Sequence, residues 1–228
     1  MRHQVIVLLL FLLIPLTGQA QEEDATVTYD GLVLVEDTDV HAAFINPEAD
    51  FSVFRRVAIL PALVAFRSDW QQRQNRGSRS RNVRASDAER IKEDVADLLK
   101  DVFVEQLEAA GYEVVNYEDD DVLILRPTIL DLDVTAPDTR SAGRSRTYTA
   151  TTGAATLLLE LFDSTTGDIV GRAVDRRSAG RSGGFATRSN RVTNRSDARR
   201  EFRVWADKLI EFLDQHYVKS DQGEVPAD

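Results

Sequence analysis

Hydrophobic residues recur along this chain at two different periods, and the changes of period mark out its elements. Ile91, Val95, Leu98, Val102 and Leu107, widened by Leu99, Phe103 and Ala110, repeat at helical spacing. They predict an amphipathic helix of about six turns laid on a sheet. Ser86-Asp87-Ala88-Glu89 reads as its capping box and Gly111 as its C-terminal stop. A second helical face carries Phe202, Trp205, Leu209, Phe212, Leu213 and His216, with Ser196 as the expected cap.

The remaining apolar runs read as strands. Arg56–Phe66 is almost continuously apolar, which predicts a strand covered on both faces, and Pro61 removes one ladder hydrogen bond from it. Tyr112–Tyr117 is a short strand. Val122–Thr135 is a long one, with Pro127 marking a bulge; Leu130, Leu132 and Val134 are expected on one face and Asp131 and Asp133 on the other. Thr147–Phe162 and Ile169–Ser178 form a hairpin around the turn Asp163–Asp168, where Gly167 is free to take a positive φ. The order strand, helix, four strands, helix predicts an α+β two-layer sandwich. Its mixed, mostly antiparallel sheet has about five strands, with two long helices on one face.

Polar stretches separate these elements. Residues 67–85 are arginine-rich and read as a mobile loop in which Trp70 either pins the base or faces a partner. Residues 179–195 are rich in glycine and arginine. Each of these loops leads from a strand into a helix, so both are expected at one end of the sheet, with the connection Asp138–Arg146 reaching the same end. Residues 21–50 read as an extended acidic arm, 51–218 as a single domain and 219–228 as a frayed tail.

One apolar run fits none of these patterns. Arg2 and His3 precede Val5–Ile14, Pro15 ends the run, and Gly18 and Ala20 occupy the small-residue positions of a cleavage site. Residues 1–20 therefore read as a secretory signal peptide, too short to span a bilayer core that needs about 20 apolar residues in a helix. The expected mature chain is periplasmic, without a transmembrane segment. The sequence contains no cysteine, so lipidation at a new N-terminus, disulfides and thiolate chemistry are excluded.

The formal net charge of −10 is unevenly spread. Acids dominate residues 22–50 and 93–121, whereas arginines concentrate in 67–90, 140–146 and 172–203. Guanidinium groups suit carboxylate and phosphate, so Arg144, Arg146, Arg176, Arg177 and Arg181, with Trp70, are the candidate contacts to an anionic partner. Export and acidic net charge argue against nucleic acid. Catalytic signals are sparse. His41 lies in the acidic arm and His216 in the last helical turn, with no metal-ligand spacing and no phosphate-loop or dinucleotide motif, so neither metal nor cofactor is expected. Glu118–Asp121 lacks the ligand order of a calcium loop. Asp131 and Asp133, about 7 Å apart on one face, suit either a carboxylate pair or salt bridges to arginines such as Arg144 and Arg146.

Tyr29–Leu32, Phe51–Phe66, Glu108–Tyr112, Arg126–Leu132, Ala142–Tyr148 and Val192–Arg195 resemble a bacterial family catalogued only as domain of unknown function 3313. The resemblance covers nearly the whole mature chain and implies an exported protein of Gram-negative bacteria, though many such proteins are lipoproteins and this chain lacks the lipidation cysteine. The element order is also similar to small envelope lipoproteins that act as accessory or assembly factors. The leading expectation is a non-enzymatic binding or accessory protein contacting an envelope protein or anionic envelope component. A self-assembling structural protein, and then a hydrolase using Asp131 and Asp133, are the alternatives. If residues 1–20 are removed on export, the intact mass of protein recovered from the periplasm corresponds to a chain beginning at Gln21; retention of the leader in that fraction refutes the reading.

Overall fold

A computed structural model of the chain describes residues 26–76, 83–134, 148–149, 151–180, 187–188 and 191–216. In chain order the strands are β1 (Val33–Val35), β2 (Ala42–Ile45), β3 (Arg56–Ile59), β4 (Leu63–Phe66), β5 (Glu113–Val115), β6 (Val122–Val134), β7 (Tyr148–Thr149), β8 (Thr151–Asp163), β9 (Ile169–Gly180) and β10 (Thr187–Arg188). The helices are α1 (Trp70–Asn75), α2 (Ala85–Ala109) and α3 (Arg191–His216).

Eight strands form one mixed sheet in the order β1-β2-β9-β8-β6-β3-β5, with β4 also on β6. β3 pairs parallel with β5 and β6, and β4 parallel with β6; the pairs from β6 through β8, β9 and β2 to β1 are antiparallel. The sheet exceeds the expected five strands for two reasons. Residues 21–50 were expected to be an extended arm, but their described part supplies β1 and β2, with Leu32 fully buried. The run Arg56–Phe66 is also split, by Leu60-Pro61-Ala62, into β3 and β4.

The split has a counterpart on β6. The amide of Leu60 donates to the carbonyl of Leu125 (2.9 Å), so Leu125 presents its polar backbone groups to β3. Two residues on, Pro127 faces the same side, where β3 has ended and β4 pairing starts only at Leu63↔Thr128. The missing amide of Pro127 thus falls where there is no strand to receive it, and the expected bulge does not occur there. The irregularity lies further on: Leu130 pairs with Thr156, but Asp133 pairs with Ala154, leaving one extra residue on β6. Asp131 takes φ +51 at that point. The insertion inverts the faces of β6. Leu123, Leu125 and Ile129 are buried before it, Leu132 after it, and Leu130 turns outward.

Both long helices pack on one face of the sheet, and their buried residues join those of β3, β6 and β8 in a single core. From α2 come Leu98, Leu99, Val102, Phe103 and Leu107; from α3 come Phe202, Trp205, Ala206, Leu209 and Leu213. Helix α2 starts at Ala85, before the expected cap, and Asp87 accepts the amide of Arg84 (3.1 Å). It closes as the sequence predicts. Gly111 donates to the carbonyl of Glu108 (3.0 Å) and Tyr112 to that of Leu107 (2.9 Å), with Gly111 at φ +89. Helix α3 starts at Arg191, five residues before the expected Ser196 cap.

An added Cβ at Gly111 would meet nothing within 4 Å, so only its backbone conformation resists substitution. Gly111→Ala is expected to lower the unfolding free energy by about 1–2 kcal/mol in urea titrations, and Gly111→Val by no less.

Candidate functional site

The strand registers answer where the arginine-rich connections emerge. Phe66 at the end of β4 pairs with Leu132, Val134 at the end of β6 pairs with Gly153, and Thr151 at the start of β8 pairs with Gly180 at the end of β9. The connections that follow β4, β6 and β9 all leave from this one end of the sheet. The short ribbon β7–β10 joins the last two. Segments 67–85, 135–147 and 176–195 together hold 15 arginines and only two acidic residues, Asp69 and Asp138.

Short-range structure at this end consists of arginines held by the chain's own carboxylates. Residues 67–76 are not a plain loop, because α1 forms there. Trp70 is 1 % exposed, its ring stacked on Phe66 at 3.8 Å, and its indole Nε1 donates to the carbonyl of Val134 (2.6 Å). It pins the base of the segment and offers no ring to a partner. Asp133 lies 2.9 Å from Arg73 and 3.6 Å from Arg67, while Asp69 lies 3.2 Å from both arginines. The Arg73 guanidinium is raised above its ordinary pKa, first by its hydrogen bond to Asp133.

The expected carboxylate pair is therefore not a pair. The extra residue sends Asp131 and Asp133 to different surroundings: Asp133 to Arg73 and Arg67, and Asp131, largely exposed, to Arg176 at 4.0 Å. Salt bridges form as one of the two expectations had it, but with these arginines; Arg144 and Arg146 lie outside the described residues, as does Arg181. Arg176 and Arg177 also part company, because adjacent strand residues face opposite sides. Arg177 turns toward α3 and binds Glu201 (2.7 Å), which also lies 3.3 Å from Arg200. Arg176 is half-exposed and the more loosely held of the two.

One cluster escaped sequence reasoning. Asp175 on β9 is buried, and two elements close on it: α3, whose Trp205 Nε1 (3.1 Å) and Lys208 Nζ (3.2 Å) donate to it, and the β1–β2 loop, whose His41 Nδ1 lies 2.9 Å away. Lys208 also donates to the carbonyl of Asp39, closing the β1–β2 loop onto α3. Burial pushes the Asp175 carboxyl up, but the bonds from His41, Lys208 and Trp205 outweigh it and hold the group below the usual carboxylate range. Nothing in the sequence links His41 to a partner 134 residues away.

The opposite end of the sheet is acidic. Asp119, Asp120 and Asp121 precede β6, with carboxylate oxygens within 4.8 Å of one another. A cation of the chain already sits among them, since Arg56 bonds Asp119 (2.8 Å) and Asp121. Between the two ends, the sheet face away from the helices carries an ion network. Glu160 accepts Arg126 (2.7 Å) and Arg172 (3.0 Å), and Arg172 also binds Asp30. That hydrogen bond to Arg172 is the main cause holding the Asp30 carboxyl below its ordinary pKa. No helix among the described residues is long and apolar enough to cross a membrane.

A family model described as a protein of unknown function, DUF3313, matches residues 21–209. No curated protein matches the chain. Among solved structures it is similar to protein XCC0632 from Xanthomonas campestris, at 13 % identity and TM-score 0.42, covering 74 % of this chain and 87 % of that one. The PelC dodecamer from Paraburkholderia phytofirmans matches at 12 % identity and TM-score 0.36, covering 71 % and 91 %. A minor lipoprotein from Acinetobacter baumannii matches at 10 % identity and TM-score 0.31, covering 70 % and 90 %. At these scores the likeness carries no argument about function or assembly.

Asp175 gives the fold a defined acid sensitivity. Its folded pKa lies below the unfolded value of about 3.9, so its stabilisation is complete above that value and is lost as pH falls through the folded one. Asp175→Asn is expected to cost about 3 kcal/mol at pH 7, with the difference from wild type narrowing below pH ~4. Urea titrations at pH 7 and pH 3 check this; a gap independent of pH contradicts it.

Proposed function

The chain belongs to the family described as DUF3313, whose function is unknown, and from that premise we propose that it is an exported, non-enzymatic binding or accessory protein of the Gram-negative envelope. It engages an anionic component or an acidic protein surface through the arginine-rich end of its sheet. The observation that carries this reading is the register that brings the ends of β4, β6 and β9 together with the start of β8. Three segments with 15 arginines between them leave from that end.

The described pairs refine which arginines are available. Arg67, Arg73 and Arg177 are consumed by Asp69, Asp133 and Glu201, so they build the platform. Arg176, the more loosely held of the described candidates, together with Arg144, Arg146 and Arg181 from the sequence reading, is assigned to the partner. A hydrolase using Asp131 and Asp133 is the third reading; each of the two carboxylates lies beside an arginine, Arg176 and Arg73. Self-assembly is the second reading. It is favoured by the apolar surface on the uncovered sheet face, where Leu63 is 63 % and Leu130 37 % exposed.

In-cell cross-linking of the tagged protein, compared with a variant carrying Arg144→Glu, Arg146→Glu and Arg176→Glu, tests the proposal. Arg177 is left intact because its loss breaks a contact to α3. The expected result is a specific envelope component captured by the wild type and lost in a variant of unchanged circular dichroism. Equal capture by both refutes the arginine end as the binding surface. Capture of the protein only by itself, with mass rising with concentration and reduced by Leu63→Lys, establishes self-assembly instead.

A further inference from the structure

The inner face of the sheet is unevenly filled. Across β8, β9 and β2 the inward rows read Leu161, Gly171, Ile45 and then Leu159, Ala173, Ala43. Large residues stand on β8 and small ones on β9 and at Ala43, directly where α3 passes overhead. Trp205, Leu209 and Phe212 of α3 line the space from the helix side. The result is a cleft of about 430 Å³, closed at one side by the β1–β2 loop, residues 36–40. Its volume is in the range of small-molecule sites, roughly 300–1,000 Å³.

The shape and chemistry of the cleft restrict its occupant. The floor is aliphatic and runs along β8 from Leu157 to Leu161, four residues of strand rise or about 13 Å. A slot this long and apolar takes an extended hydrocarbon chain, because every methylene placed there leaves water. The mouth is charged, and by one sign. Glu36, Asp37, Asp39 and Glu211 line it and are exposed. Lys208, on the helix side of the cleft, is bonded to Asp175 and to the Asp39 carbonyl; Arg172 lines the cleft from β9, but its guanidinium belongs to the ion network of the other sheet face, bound to Asp30 and Glu160. The imidazole of His216 lies with Nδ1 2.8 Å from the Phe212 carbonyl.

We propose that this cleft binds a single-chain amphiphile, its alkyl chain laid along the Leu157–Leu161 floor and a cationic head held by the carboxylates of the mouth. The site is separate from the arginine end and of opposite charge preference. Lys208 and His41 set its geometry by tying the β1–β2 loop to Asp175, so that the loop wall stands at a fixed distance from α3.

Decyltrimethylammonium, decyl maltoside and decyl sulfate present one chain with cationic, neutral and anionic heads. Isothermal titration of the protein with each, below micelle formation, reads the assignment. The cationic probe is expected to bind about tenfold more tightly than the neutral one, and the anionic probe most weakly. Ala173→Leu fills the floor and is expected to abolish binding of the cationic and neutral probes while the thermal transition is retained. Combined Glu36→Gln, Asp37→Asn, Asp39→Asn and Glu211→Gln substitutions leave the core and the Asp39 carbonyl untouched and should reduce cationic binding to the neutral level; asparagine tolerates the positive φ of 56° at position 37. Absence of cationic binding, equal or tighter binding of the anionic probe, or cationic binding unaffected by both variants overturns the proposal. If Ala173→Leu fails to fold, the mouth variant alone decides: a retained cationic preference overturns the proposal and a lost one supports it.

Discussion

The extra residue at Asp131 decides what the far end of the sheet can be. Strand β6 is paired on both sides, so its alternation fixes which side chains are buried and which are wet. Without the insertion, Leu132 and Val134 would point away from the helices and Asp133 would enter the core. With it, Leu132 is buried, Asp133 reaches Arg73 and Arg67, and the Val134 carbonyl is presented to the indole of Trp70. A left-handed backbone at a non-glycine residue costs about 1–2 kcal/mol, and a buried aromatic stack with an anchored chain segment offsets it. The platform from which the arginine segments depart is built on that exchange.

Charge on this molecule follows the same strand. Acids that cluster along the sequence before β6 lie at its start, and arginine-rich segments leave from its end, so a pattern scattered over the chain becomes polarity along one axis. Between the two ends the uncovered face carries alternating charges, with Arg126, Glu160, Arg172 and Asp30 in sequence across the strands. These groups neutralise one another within the chain. An axis of this kind orients a partner before contact, an effect that depends on ionic strength.

Elements whose signals are local were legible in the sequence. Helix α2 has its own stripe and its own glycine stop, and the hairpin turn has Gly167 at φ +73 as expected. What was hidden depended on a second strand. The strands β1 and β2, of three and four residues in an otherwise acidic stretch, are too short to show a period of their own, yet Ala42–Ile45 pairs residue for residue with β9. Pro127 predicts a bulge because a missing backbone donor is visible in a sequence. Proline was tolerated there without a bulge because the neighbouring strand breaks at Pro61, and the true insertion fell at an aspartate carrying no such mark. Trp70 illustrates the same limit: its polar surroundings allow it either to pin the base of the segment or to face a partner, and the choice is made by Phe66 and by the carbonyl of Val134, 64 positions away. The departure of the arginine-rich connections from one end of the sheet, by contrast, is what two strand-to-helix connections give when both helices lie on one face and run alike.

Asp175 connects the two candidate sites in a way that pattern reading could not reach. It is the inward residue of the row after Leu159 and Ala173, at one end of the cleft, and Arg176 and Arg177 follow it toward the arginine end. The carboxylate draws together β9, the β1–β2 loop and α3 through His41, Trp205 and Lys208. A buried charge held by three side chains is costly to dissolve and poorly replaced by packing alone when only one partner is removed. It therefore fixes relative positions more than it adds net stability. The loop that walls the cleft and the helix that roofs it are located by the same group from which β9 runs on into the arginine-rich end. An apolar cleft with an acidic mouth and a basic platform are thus two outward-facing consequences of one buried carboxylate and one misplaced strand residue.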